Sequence, residues 1–175
     1  MYEIIQLANR PNIGLCLDTF QTIGSEYTDP RTDYGHIEHQ DLTSKKLEKN
    51  FKDSLAKLTK EVDPAKIYVL QISDAYIPPA PLKDDEDGEE GGLRARGKWS
   101  HDFRPYPFNG GAFSTQCVEM AQSVLKTGCR GRTWFSIEVF DGGEMGEGKD
   151  VDMESFCRGR MESYRRLLDE CADDS

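Results

Sequence analysis

The sequence predicts an α/β chain in which parallel strands alternate with helices. Three apolar runs of strand length carry this reading: "NIGLCLDTF", "KIYVLQISDA" and "TWFSIEVF". Each is mostly apolar, as expected of a strand covered on both faces. Segments with a helical period separate the runs, and strict alternation of this kind implies parallel strands joined by right-handed crossovers. Each run also ends in polar residues, which raises the question of what those side chains do.

The elements follow in order. "MYEIIQLANR" places Ile4, Ile5, Leu7 and Ala8 at helical spacing, and Pro11 closes the segment. The first strand follows and stops at Asp18, and residues 22–42 read as loop. Thr43 or Ser44 can cap a long helix with Leu47, Phe51, Leu55, Leu58 and Val62 on one face, ended by Asp63-Pro64. The second strand, residues 66–75, ends in Gln71, Ser73 and Asp74. Residues 77–97 include "KDDEDGEEGG", where acids and glycines leave nothing to bury, so this stretch is expected to be a flexible acidic loop. Ser114 is placed to cap a helix that turns Val118, Ala121, Val124 and Leu125 inward, with Gly128 as its stop. The third strand, residues 133–140, carries Glu138. The last helix, from about Asp152, sets Phe156, Met161, Tyr164, Leu167, Leu168 and Cys171 on one side.

A length of 175 residues suits one domain, 1–175. The formal net charge of -10 repels phosphate backbones and anionic lipid, and no basic stripe is present, so nucleic acid is not an expected partner. No apolar run approaches the roughly 20 residues needed to span a bilayer, and no signal peptide opens the chain, so a cytoplasmic location is expected. Five scattered cysteines, Cys16, Cys117, Cys129, Cys157 and Cys171, never in CxxC spacing, read as reduced thiols that behave mostly as small hydrophobes.

Asp18, Gln71 and Glu138 each lie at or near the C-terminal end of a strand. In a barrel of βα units those ends converge on the catalytic face. A buried carboxylate needs compensation, and two converging ones repel. A divalent cation would resolve both, and hard oxygen donors suit Mg²⁺ or Mn²⁺. The plainer alternative is that each acid caps a following loop or helix, and spacing alone does not decide between the two. Between the second and third strands, "KWSHDFRPYPFNGGAF" gathers Ser100, His101, Arg104, prolines, aromatics and a glycine pair. Arg104 in a stiff loop could hold a substrate carboxylate through a bidentate pair, or be an incidental surface arginine.

Taken together, "NIGLCLDTFQ", "QISDA", "KWSHDFRPYPF" and "FSIEVF" resemble the xylose isomerase-like TIM barrels of the sugar phosphate isomerase and epimerase superfamily, nearest to the fungal 3-dehydroshikimate dehydratases. The resemblance implies that Asp18, Gln71 and Glu138 are three of four ligands to a divalent metal, Mg²⁺, Mn²⁺ or Co²⁺, and that Ser100 and Arg104 hold a small cyclic substrate bearing a carboxylate. The implied reaction is a lyase step that removes water from 3-dehydroshikimate to give protocatechuate. Some members carry a histidine three positions after the metal aspartate as general base; here that position is Gln21, which takes no proton at neutral pH. His101 is the substitute by position.

A complete barrel of this kind has eight strands and about 250 residues. Three strands correspond to the last three, so the chain is expected to be the C-terminal part of a (β/α)8 barrel, without the fourth ligand, a glutamate on the preceding strand. An open sheet of this size is prone to association: either the chain pairs with a second copy or a separate first half, or it is a truncated piece, the favoured reading, or a degenerate remnant. Two other readings stand beside the lyase: a sugar phosphate isomerase or epimerase, and a non-catalytic remnant that keeps the strands.

Overall fold

Register fixes the frame. In the computed structural model, which describes residues 1–37, 43–85, 92–129 and 133–172, β1 (Leu15–Asp18), β2 (Ile67–Ile72) and β4 (Trp134–Ile137) form one parallel sheet in the order β1-β2-β4. Asp18 stands opposite Gln71 and Gln71 opposite Ser136, and the Glu138 amide donates to the Ile72 carbonyl. The three strand ends are therefore level.

Side chains alternate across a strand, and the two faces differ in kind. Leu70 and Ile72 are fully buried and point to a helical layer made of α2 (Thr19–Glu26), α3 (Ser44–Glu61), α5 (Ser114–Lys126) and α7 (Met153–Ala172). Phe51, Leu55, Phe113, Met120, Val124 and Leu167 complete that core. The opposite face carries Cys16, Asp18, Val69, Gln71, Trp134 and Ser136 by register. Cys16 and Trp134 on it are exposed. The helix α1 (Tyr2–Ala8) buries Ile5 and leaves Ile4 and Leu7 in solvent.

Thr43 accepts from the Lys46 amide and caps α3 as expected, and Gly128, at a φ of +85°, ends the α5 segment. The five cysteines are unpaired, with Cys117, Cys129 and Cys171 buried and Cys16 and Cys157 exposed. No helix among the described residues is long and apolar enough to cross a membrane.

Several sequence expectations need correction. Residues 22–42 are not all loop, because α2 begins directly after Asp18 and buries Thr19, Phe20, Ile23 and Gly24. Ser114 is the first residue of α5 and not its cap; its hydroxyl is engaged with Asp74 and with the Phe108 amide. Leu125, Met161 and Leu168 are 40%, 49% and 39% exposed, so the inward faces of α5 and α7 are narrower than their periodicity implied. In the acidic stretch 77–97, residues 86–91 lie outside the described residues. Its end is helical, since α4 (Ala95–Asp102) starts there, with Asp84 accepting from the Ala95 amide and Ala95 and Trp99 buried. A short strand β3 (Phe103–Arg104) follows α4 and pairs antiparallel with β5 (Phe140–Asp141), which leads into the short helix α6 (Gly142–Met145).

Candidate functional site

Asp18 closes β1 and opens α2. Its Oδ1 accepts from the Gln21 amide at 3.2 Å, so the capping alternative is correct for one of its oxygens. Its Oδ2 accepts from Arg104 Nη2 at 2.6 Å. The same Nη2 lies 2.8 Å from Glu138 Oε2. The two strand-end acids therefore do converge, and the group between them is a guanidinium.

Arg104 is held from several sides. It is 3% exposed, and its Nε donates to Ser73 Oγ at 2.7 Å. Its guanidinium carbon lies 5.0 Å from the Phe20 ring centroid and 5.9 Å from that of Phe140. The backbone around it is strapped to the continuation of β2, with the Asp74 amide donating to Pro105 O and the Tyr76 amide to Phe103 O. Ser73 is in turn fixed by Thr19, whose hydroxyl donates to Ser73 O and accepts from its amide.

A second acid locks the same loop. Asp74 is fully buried and accepts from the Ala75 and Phe113 amides and from the Ser114 hydroxyl. Burial pushes its carboxyl up, against the pull of those three donors. Gly111 packs so closely that a Cβ there would lie 2.4 Å from Asp74 Cγ.

The remaining sequence candidates are more loosely placed. Gln71 accepts through Oε1 from the Cys16 thiol at 3.3 Å and lies beside Asp18 by register. The Cys16 thiol is pushed up by burial and then by the charges of Asp18 and Glu138. Gln21 Nε2 donates to Ser100 Oγ over a long 3.4 Å. His101 is exposed, its ring 5.8 Å from that of Phe140. Arg104 is not an incidental surface arginine: it is buried and paired with both acids. Phe20, Phe140 and Cys16 were not singled out by sequence reasoning, and Ser73 was noted only as a polar strand end. For Phe20 and Phe140 nothing in the sequence distinguishes a ring that walls a guanidinium from an ordinary core aromatic.

The donor chemistry fits a hard divalent cation. Two carboxylate oxygens reach one point, an amide oxygen stands in the neighbouring register position, and Ser136 Oγ, next across the sheet, is buried without a hydrogen-bond partner. The ionised donors number two, and no group of three or more His, Cys, Asp or Glu side chains among the described residues is arranged to hold a metal. Gln71 and Ser136 would have to supply the rest.

No family model matches the chain. Over 167 residues it is 29% identical to the 3-dehydroshikimate dehydratase of Neurospora crassa, an alignment that covers 95% of this chain and 44% of that protein. A solved xylose isomerase-like TIM barrel/4-hydroxyphenylpyruvate dioxygenase fusion protein superposes with a TM-score of 0.60 at 18% identity, over 97% of this chain and 19% of the other. The crystal structure of the IOLI protein with a binding zinc atom superposes at 0.50 and 18% identity, over 95% of this chain and 41% of the other. The fold is therefore that of part of a TIM barrel, and the chain, similar in sequence to a 3-dehydroshikimate dehydratase, spans less than half the length of that relative.

Proposed function

We propose that this chain is the C-terminal part of a metal-dependent lyase that dehydrates 3-dehydroshikimate to protocatechuate. The observation that carries the reading is the meeting of Asp18 and Glu138 at one point on the catalytic-face end of a parallel sheet. The similarity to a dehydratase and the zinc in one structural neighbour support the choice of chemistry. Asp18, Gln71 and Glu138 would hold the metal. When bound, a divalent cation supplies positive charge to substrate oxygens on which negative charge develops. Arg104 fixes the ring carboxylate once it is free of the acids, and Ser100 adds a hydrogen bond. Gln21 takes no proton, so His101 is the candidate base of the loop. The open face of the sheet and its edge strands β1 and β4 support completion of the barrel by a second copy or by a separate first half.

A sugar phosphate isomerase or epimerase activity is the second reading, favoured by the engagement of Arg104, since a guanidinium spent on two acids is not available to a ring carboxylate. The purified chain is incubated with 3-dehydroshikimate and Mn²⁺ or Mg²⁺, and protocatechuate absorbance is followed with and without chelator. Chelator-sensitive turnover that is lost in Asp18→Asn and Glu138→Gln is expected. Turnover indifferent to chelator and to both substitutions refutes the metal lyase. Failure of the complete protein carrying this segment to make protocatechuate refutes it as well.

A further inference from the structure

We propose that Arg104 is the resident cation of this site, held on the point a divalent metal would take, so that metal entry and departure of the guanidinium are one exchange. The inference rests on the metal reading above and concerns how that site is gated. Arg104 Nη2 lies 2.6 Å from Asp18 Oδ2 and 2.8 Å from Glu138 Oε2. A divalent metal drawing on those same two oxygens would compete with a guanidinium that already takes them, and two cations a few ångströms apart repel each other. Each cation weakens the hold of the other on the acids.

Two features make the guanidinium a strong occupant. Its Nε is tied to Ser73 Oγ at 2.7 Å, and Ser73 is fully buried and itself fixed by Thr19. The rings of Phe20 and Phe140 lie near its guanidinium carbon. Charge supplies the reason for exchange. Asp18 and Glu138 carry two negative charges and Arg104 returns one, so the cluster remains net negative and attracts a divalent ion. A divalent ion balances both acids and releases a guanidinium beside the site, where it can take a carboxylate. Metal binding and carboxylate binding are then positively linked.

The test is calorimetric titration of the purified chain with MnCl₂, accompanied by thermal melts. Arg104→Gln removes the competitor and is expected to bind Mn²⁺ about tenfold more tightly than the unchanged chain, within the usual range of coupling between sites. Ser73→Ala keeps the charge and removes only the tether; it is expected to tighten binding about threefold, and it carries the test if Arg104→Gln does not fold. Asp18→Asn is expected to abolish binding. With Mn²⁺ present, benzoate as a carboxylate probe is expected to bind more tightly than without it, and equal binding in both states overturns the release of Arg104. Unchanged or weaker Mn²⁺ affinity in both Arg104→Gln and Ser73→Ala, with Asp18→Asn still abolishing it, overturns the exchange and leaves the metal site standing. Absence of Mn²⁺ binding in every variant overturns both.

Discussion

Replacing Arg104 with Met tests whether the triad of Asp18, Arg104 and Glu138 works as a buried charge network. The substitution keeps most of the aliphatic bulk against Phe20 and removes the donors to Asp18 Oδ2, Glu138 Oε2 and Ser73 Oγ. Truncating one partner of a buried pair costs about 3–5 kcal/mol, because the partner charge is left unpaired. Here the Asp18 side chain is 11% exposed and that of Glu138 30%. Water can reach Glu138 once Arg104 is gone, so Asp18 carries most of the penalty and the lower end of the range, about 3 kcal/mol, is expected. With a urea m-value of about 2 kcal/mol/M, the midpoint falls by about 1.5 M. Making the same change in an Asp18→Asn, Glu138→Gln background, where Arg104 itself is the buried charge left without a counter-ion, is expected to cost nothing or to stabilise. Arg158→Ala, which breaks a solvent-exposed pair with Glu154, serves as the control and is expected to cost about 0.5 kcal/mol or less. A loss below about 1 kcal/mol for Arg104→Met, or an equal loss in both backgrounds, refutes the network.

The loop that presents Arg104 gives a further test in Gly111→Ala. The new Cβ would meet Asp74 Cγ at 2.4 Å, and three hydrogen bonds prevent Asp74 from moving aside; a loss of about 2–3 kcal/mol is expected in thermal melts, and an unshifted melting temperature rejects it. Asp29 gives a pH test, since its hydrogen bond from the Arg31 side chain holds its carboxyl below the usual carboxylate range. A lowered carboxyl contributes stability that is present above its unfolded value, about 3.9, and is lost as pH falls through the folded one. Asp29→Asn should therefore lose stability at pH 7, with a gap to the unchanged chain that narrows as the pH falls below the ordinary carboxylate value, and a gap that stays constant contradicts the assignment. For Cys16, Glu138→Gln removes one of the negative charges that raise its thiol. In a Cys157→Ser background, iodoacetamide should then alkylate Cys16 faster at pH 8, and an unchanged rate rules out electrostatic coupling of the two.

The strands and the long helices were legible because their signals are local. Leu47, Phe51 and Leu55 mark the buried face of α3 by spacing alone, and Thr43 marks its start. The parallel order followed from alternation, and the level strand ends followed from that order. The rest lacked a local signal. The two residues of β3 and of β5 are too short to show a period, and their pairing joins positions far apart in the sequence. The helix α2 went unread because the residue that ends the strand, Asp18, is also the cap that starts the helix, leaving no punctuation between them. The exposure of Leu125, Met161 and Leu168 is equally invisible to periodicity, which gives an apolar stripe but not how much of it a neighbour covers.

The strand-end acids were placed by the sequence, but the identity of their partner was not, and the reason is geometric. The requirement that Asp18 and Glu138 be compensated is a matter of charge and burial, and any cation meets it. What selects Arg104 is the strap from Asp74 and Tyr76 to Pro105 and Phe103, which carries the arginine over the ends of the strands. That strap depends on Gly111, which carries no charge, and on Asp74, an acid whose oxygens are taken by the loop itself. The same side chain thus stands as counter-ion in the structure and as carboxylate anchor in the proposed reaction. The two roles are compatible only if another cation takes its place between the acids, which makes the response of Mn²⁺ affinity to Arg104→Gln decisive for how this chain would be used.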